Sequence, residues 1–367
     1  MKIRSVQTQV IDIPFDDGGK KKPITPTTWN SLEMVLIRVE DTDGNVGWGE
    51  AFGYFVSAAT KSVVDTLLKP LLEGTEVESI PEWSRMIQHK LHIFGRYGIT
   101  LFAISGVDIA LWDLWAKRNK APLYTLLGNG ERKSLTTYAS LVGYNDRDVA
   151  TAQCRKALAD GYIDVKVHET DIDIIAACHD AIASVNMSAR LAIDVNCSWS
   201  TLQAREYISR LEAMAQIAWL EEPIFPPEDF ALLSGLRNHG VALGAGENWC
   251  TEQQFRSAIE QGAVDYVQPS VTKVGGITEF LKVVDTAVAH QTTILPHSPY
   301  FGPGFLATLH LANACSNVKD VEYLYVQPAA ELFKYDSIRK GNVFTINDRP
   351  GIGLEPDEAV INRFKVS

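Results

Sequence analysis

The sequence predicts an α/β fold, a closed β/α barrel preceded by an α+β segment. Two observations carry this. From residue 136 onward eight short β-rich runs alternate with helical stretches, and an ionisable or polar residue closes nearly every run at a regular interval. Ahead of them the chain reads as a hairpin sheet followed by helices, a different texture and so a separate layer. At 367 residues there is more chain than one ordinary compact domain uses.

Residues 3–13 and 33–39 read as strands, and Asp41-Thr42-Asp43-Gly44 is a turn that brings 46–50 back as a hairpin partner. Helical periods cover 57–72, 82–91 and 99–117; in the last, Ala103, Ile104, Val107, Ala110, Leu111, Leu114 and Trp115 form one apolar stripe. The β-rich runs that follow are 136–141, 162–167, 190–195, 218–221, 241–246, 265–268, 293–296 and 321–325. Eight of them suggest closure into a barrel. An open doubly wound sheet lacks its signal, because no Gly-x-Gly-x-x-Gly follows the first run.

Apolar residues at 46% and charged residues at 22% allow a large core. A formal charge of -11 repels phosphate backbones and anionic lipid heads, so neither a nucleic acid nor a membrane is an expected partner. Lys20, Lys21 and Lys22, beside Gly18, Gly19 and Pro23, read as a solvated loop, with an anionic substrate as the other possible role. Five scattered cysteines give no support to a zinc ribbon, a redox motif or a disulfide framework. With no apolar targeting run at the N-terminus, a cytoplasmic location is expected.

The polar residues at the run ends are Lys166 and His168, Asp194, Glu221, Glu247, Ser270, His297 and Glu322, at steps of 23 to 28 residues. Barrel strands end on a shared rim, so these side chains converge. Asp194, Glu221 and Glu247 are hard oxygen donors suited to magnesium, and three carboxylates so close would repel without a cation. Singly, each acid reads as a lone strand cap or an Arg partner; three at this period argue against that. Lys166 and His168, one residue apart on a strand, face the same side, where each cation is expected to lower the other's pKa. His297 is expected across the rim from them. A metal flanked by bases suits removal of a proton beside a carboxylate, because the metal stabilises the enediolate charge.

The residues 161–168 ending in Lys166-Val167-His168, Asp194-Val195-Asn196, Glu221-Glu222-Pro223, Gly246-Glu247-Asn248, Lys273-Val274-Gly275-Gly276 and Pro296-His297 resemble the ordered motifs of the mandelate racemase subgroup of the enolase superfamily. Asp108–Leu114 resembles its helix before the barrel. The resemblance implies a modified (β/α)8-type barrel, (β/α)7β, spanning 129–345, and an α+β capping domain made by 1–128 with the tail 346–367. It implies Mg2+ on Asp194, Glu221 and Glu247, with Asn196 and Glu322 near the substrate. Loops 16–28 and 53–57 would close the pocket.

Two positions depart from the pattern. His168 stands where a second lysine is usual, and Ser270 replaces the aspartate behind the rim histidine, so His297 is expected to be less basic and less firmly oriented, an acid more than a base. The pair with His297 is similar to that of the subgroup's cycloisomerases acting on 3,6-anhydro-L-galactonate, an agar sugar acid. This implies abstraction of the alpha proton by Lys166 and His168, and ring opening to 2-keto-3-deoxy-L-galactonate. The alternatives are a sugar-acid dehydratase of the same subgroup and a non-catalytic protein on this scaffold. A homo-oligomer is expected by the same resemblance.

Overall fold

The computed structural model describes residues 1–19, 29–128, 134–237 and 239–366. Lys20, Lys21 and Lys22, and with them most of the expected loop 16–28, lie outside the described residues. The chain opens with three antiparallel strands, β1 (Ile3–Asp16), β2 (Ser31–Asp41) and β3 (Val46–Phe52). The β2–β3 turn is held by Asp41, whose Oδ1 accepts from the amides of Asp43 and Asn45 at 3.0 and 2.9 Å. The expected helix over 57–72 is present but not uniform. Its middle, Val64–Leu68, is a π turn between Ser57–Val63 and Lys69–Leu72.

Helix Ile99–Arg118 is buried on nearly every side, not along one stripe. The strip reading underestimated it because its second cover, the barrel helix Gly276–Ala289, arrives from far along the chain. The helix is long and apolar enough to cross a membrane by length and composition, and 83% of its apolar window is buried inside the protein. β3 lies directly on it. A Cβ at Gly47 would sit 2.1 Å from the Ala110 carbonyl oxygen and one at Gly49 2.0 Å from that of Gly106, so only glycine permits this approach.

Seven parallel strands follow in spatial order: β4 (Ser134–Ser140), β5 (Asp164–Val167), β6 (Arg190–Asp194), β7 (Ile217–Glu221), β8 (Leu243–Ala245), β9 (Tyr266–Val267) and β10 (Thr293–Ile294). β11 (Val321–Leu324) pairs in parallel with β4. The ring closes where the amide of Ile294 donates to Asn317 and the amide of Lys319 donates to Ile294, each at 2.9 Å. A helix follows each of the first seven strands and none directly follows β11, which makes the barrel (β/α)7β. β9 and β10 are two residues each, shorter than their β-rich runs, since Pro269 and Pro296 have no amide to extend the ladder. Inside the ring Tyr138, Ala192, Trp219 and Leu295 pack as a plug beneath the rim.

After β11 the chain crosses back. β12 (Gln327–Pro328) pairs with β1, β13 (Arg339–Lys340) and β14 (Val343–Thr345) form a hairpin along β4, and helix Glu358–Phe364 returns to β1. Buried carboxylates join cap to barrel. Asp108 accepts from the Thr278 amide at 3.0 Å, and Glu50 from the Gly304 amide at 2.9 Å, each at the N-terminal end of a barrel helix where backbone amides lack helical partners.

Candidate active site

Strand alternation turns Lys166 and His168 to the barrel interior while Val165 and Val167 are buried against the helices. Both cations reach Asp194 Oδ2, Lys166 Nζ at 3.6 Å and His168 Nε2 at 3.1 Å. Beyond β6 the chain curls through positive φ at Asn196 and Cys197, which lets the Asn196 amide donate to Asp194 Oδ1 at 2.8 Å. On β7, Glu221 accepts from Lys166 Nζ at 2.9 Å, Trp219 Nε1 at 2.9 Å and Gln268 Nε2 at 2.7 Å. Gly246 has φ +137°, and a Cβ there would meet the Phe255 ring at 2.8 Å; this backbone carries Glu247 onto the rim.

Asp194, Glu221 and Glu247 each offer an oxygen, and these lie within 4.8 Å of one another. Three convergent, mostly buried carboxylates on adjacent strands fit a hard divalent cation such as magnesium. Their charges are unequal. Burial pushes the Glu221 carboxyl up to about 7, against the pull of Lys166. Burial acts the same way on Asp194 and Glu247, but His168 and Lys166 together outweigh it at the first and His297, Lys273 and Lys166 together at the second, so both stay below the usual carboxylate range.

The expectation that Lys166 and His168 lower each other's pKa is corrected here. Burial favours their neutral forms, and Lys166 does disfavour charge on His168. Nevertheless Glu221, Glu322 and Asp194 around Lys166, and Asp194 beside His168, raise both. The sequence reading counted the two cations and left out the carboxylates between them.

A cavity of about 470 Å³ opens above the triad, with His168, Asn196, Glu247, His297 and Glu322 on the barrel side and Trp29, Phe52, Tyr54 and Phe55 on the cap side. Lys166 lies behind this wall, fully buried. His297 faces the opposite flank from His168, its Nε2 2.9 Å from Glu247 Oε2. Glu322 spends one oxygen on Lys166 Nζ and the other on the Ser298 amide, both at 2.9 Å. Of the two expected closing loops, 53–57 lies over the cavity, with the Phe55 amide donating to Glu33 at 3.0 Å, and Asp17 from the described part of the other also lines it.

Sequence reasoning missed four residues. Glu222 is buried beside the triad, its carboxyl driven well up by burial and by Glu247, and accepts from Asn248 Nδ2 at 3.1 and 3.2 Å. Lys273 Nζ donates to Asn248 Oδ1 at 2.9 Å and stands 3.9 Å from Glu247. Tyr300 places its hydroxyl 3.3 Å from His297 Nδ1 and against Ser270 Oγ, so the missing aspartate does not leave the ring unsupported. Sequence offers no signal for this, because the hydroxyl next to His297 in the chain is Ser298, which donates instead to the Glu322 carbonyl at 2.9 Å.

A (β/α)7β barrel with acids on three consecutive strands, bases on two flanks and an N-terminal cap is the architecture of the enolase superfamily. Residues 15–128 match the model described as mandelate racemase / muconate lactonizing enzyme, N-terminal domain, and residues 149–360 match enolase C-terminal domain-like; the chain belongs to this mandelate racemase subgroup. It is 30% identical to arabinonate dehydratase of Saccharolobus solfataricus over 91% of each chain. It is 30% identical to 3,6-anhydro-alpha-L-galactonate cycloisomerase of Streptomyces coelicolor over 80% of this chain and 82% of that one. A racemase from Streptomyces coelicolor A3(2), solved with bound magnesium, superposes with a TM-score of 0.85 at 27% identity, covering 99% of this chain and 100% of that one. The relatives are thus sugar-acid cycloisomerases and dehydratases.

Proposed function

We propose that this chain is a magnesium-dependent cycloisomerase that opens 3,6-anhydro-L-galactonate to 2-keto-3-deoxy-L-galactonate. One observation carries the reading. His168 and His297 enter one cavity from opposite flanks of the acidic triad, one 3.1 Å from Asp194 and the other 2.9 Å from Glu247. Groups so placed can serve two proton transfers on one bound acid.

Magnesium on Asp194, Glu221 and Glu247 would anchor the substrate carboxylate, offset the charge that builds as the alpha proton leaves, and loosen the carboxylates' hold on the protons of Lys166 and His168. His168, the member of the base pair that faces the cavity, takes the alpha proton, with Lys166 behind it setting the local charge. His297 in its charged form gives its Nε2 proton to the departing ring oxygen and ends neutral. That oxygen stays attached through its other carbon, so the elimination is an isomerisation, and the enol product tautomerises to the ketone. Asn196, which lines the cavity, is assigned to the substrate's hydroxyls, while Glu322 steadies Lys166. The aromatic faces of Trp29, Tyr54 and Phe55 suit the apolar side of a compact ring.

The likeness to arabinonate dehydratase favours a second reading, in which an open-chain aldonate loses its oxygen as water by the same proton transfers. As a cycloisomerase the protein would act in the cytoplasm as a homo-oligomer, in breakdown of agar sugars. A panel of aldonates, aldarates and anhydro-sugar acids, incubated with enzyme and magnesium in deuterated water, tests this. The 2-keto-3-deoxy product from the anhydro acid alone supports it, and turnover of aldonates without turnover of the anhydro acid replaces it with dehydration.

A further inference from the structure

Two loops carry large apolar side chains into solvent although neither is loose. The first follows helix Ile80–Lys90. In it Ile93, Phe94 and Tyr97 are 71%, 55% and 54% exposed. Its shape is fixed, because the 3-10 turn His92–Phe94 ends in Gly95 at φ +102° and the Thr100 hydroxyl donates to the Phe94 carbonyl at 3.1 Å. The second follows β7 and exposes 75% of Phe225. It is held by the Asp229 amide donating to the Pro226 carbonyl at 3.1 Å and by Trp249 Nε1 donating to that of Pro227 at 2.9 Å. Both loops reach the segment after β8, where the Gly98 amide donates to the Cys250 thiol and the charge of Glu228 acts on the same thiol. Single exposed apolar residues are ordinary, but a rigid group of them marks a surface that is covered by something.

The charges around this surface are sorted by sign. Arg85 and Arg96 line a cleft of about 350 Å³ between the first loop and the start of helix Thr251–Glu260. The acids that share the cleft are already engaged, Glu279 with Lys282 and Glu252 with Arg256, each at 2.6 Å. Neither Arg85 nor Arg96 has an ion-pair partner among the described residues, and the same holds for Glu228, which is exposed on the second loop. The surface therefore has an apolar middle, a positive end and a negative end.

We propose that this face is the contact between two copies of the chain, related by a two-fold axis that passes between the loops. Such an axis lays the positive end of each copy on the negative end of the other, so Arg85 and Arg96 meet Glu228 twice while the apolar loops close the middle. An anionic partner such as a membrane would suit the arginines alone and would meet Glu228 and a net charge of -11. A second copy satisfies both ends at once. The first loop runs directly into helix Ile99–Arg118, whose Phe102 ring packs 5.1 Å from that of Phe52 in the cavity wall, so the contact also braces the cap side of the active site. This gives the homo-oligomer of the proposed function its face and does not depend on the substrate.

Sedimentation velocity of the full-length protein tests the proposal. Wild type is expected as a dimer or an even-numbered assembly. Phe94→Asp and Phe225→Asp should each raise the dissociation constant about 30-fold or more, the scale of losing an aromatic anchor at the centre of an interface. Arg96→Glu and Glu228→Arg should each weaken association alone, and mixing the two variants should restore it, because each then offers the charge the other lacks. Should a variant fail to fold, hydrogen exchange of wild type decides: dilution through the dissociation range should speed exchange of the amides in 92–97 and 225–229. A wild-type monomer at about 100 μM, where even a weak contact is filled, overturns the proposal. So do charge variants that associate like wild type, a mixture that stays monomeric, or exchange unaltered in both loops. Association as expected without turnover of the anhydro acid upholds the interface and overturns only the substrate.

Discussion

Lys166 and His168 stand side by side on β5, yet replacing each should read out differently. Lys166 has no exposed surface and lies 2.9 Å from Glu221, 2.9 Å from Glu322 and 3.6 Å from Asp194. Lys166→Met leaves those buried carboxylates without their shared cation. Breaking a buried ion pair from one side costs about 3–5 kcal/mol. For a chain of this size about 2 °C per kcal/mol is the expected scale, so the unfolding midpoint should drop by roughly 6–10 °C. His168 faces the cavity and is partly exposed, so His168→Ala should cost the fold about 1 kcal/mol or less. The same variant should lower kcat by roughly two to four decades, the usual contribution of a general base. Thermal unfolding by circular dichroism gives the first quantity; turnover and alpha-proton exchange in deuterated water, followed by proton NMR, give the second. A Lys166→Met protein with an unchanged midpoint would refute the countercharge argument. A His168→Ala protein that exchanges the alpha proton at the wild-type rate would remove it from the base role.

Other outcomes follow from the same geometry. Glu221→Gln should abolish turnover and weaken magnesium binding in calorimetry, as should exhaustive chelation for turnover; full activity without divalent metal would overturn the mechanism. His297→Asn should still exchange the alpha proton when elimination is slowed, while a Lys166→Ala/His168→Ala double variant should not, and exchange that depends on His297 alone would reassign the base. His310, buried and accepting the Tyr124 amide at 3.0 Å, is held down to about 4 by burial. The unfolded chain binds its proton below about 6.5, so this stabilisation is whole above 6.5 and is lost as pH falls from there toward 4, by up to about 3 kcal/mol. In denaturant titrations at successive pH values, the stability of His310→Gln relative to wild type should rise as pH falls from about 6.5 toward 4. The difference isolates this group because Asp108 and Glu50, raised to about 7 by burial, act in the opposite direction in both proteins.

What the sequence discloses and what it withholds divide along a physical line. Asp194, Glu221 and Glu247 are legible because a β/α repeat returns the chain to one rim at fixed intervals, so spacing stands in for distance. The inward pairing of Lys166 and His168 is legible from strand alternation alone. Tyr300, Lys273 and Asn248 are not, because their importance depends on which side chains they meet through space. Helix Ile99–Arg118 shows the same limit in the fold: its periodicity records one apolar face, whereas its burial depends on Gly276–Ala289 packing from the far side. The charge on His168 is hidden from the sequence for a related reason, since its balance includes the Asp194 carboxylate 3.1 Å away on the neighbouring strand.

The carboxylates that join cap to barrel bear on how such proteins can be recombined. Asp108 and Glu50 dock on the helices that directly follow the segments carrying Ser270 and His297. A foreign cap grafted onto this barrel would therefore disturb the acid-bearing half of the reaction centre as well as the substrate lid, unless it brought both carboxylates in register. Tyr54 carries a like obligation, since its hydroxyl donates to the Pro299 carbonyl in the loop that bears His297 and Tyr300. Its neighbour Phe55, half exposed and tied through its own amide to Glu33, is the freer position, so the practical unit for redesigning substrate preference is that single side chain, with the cap kept as native stock.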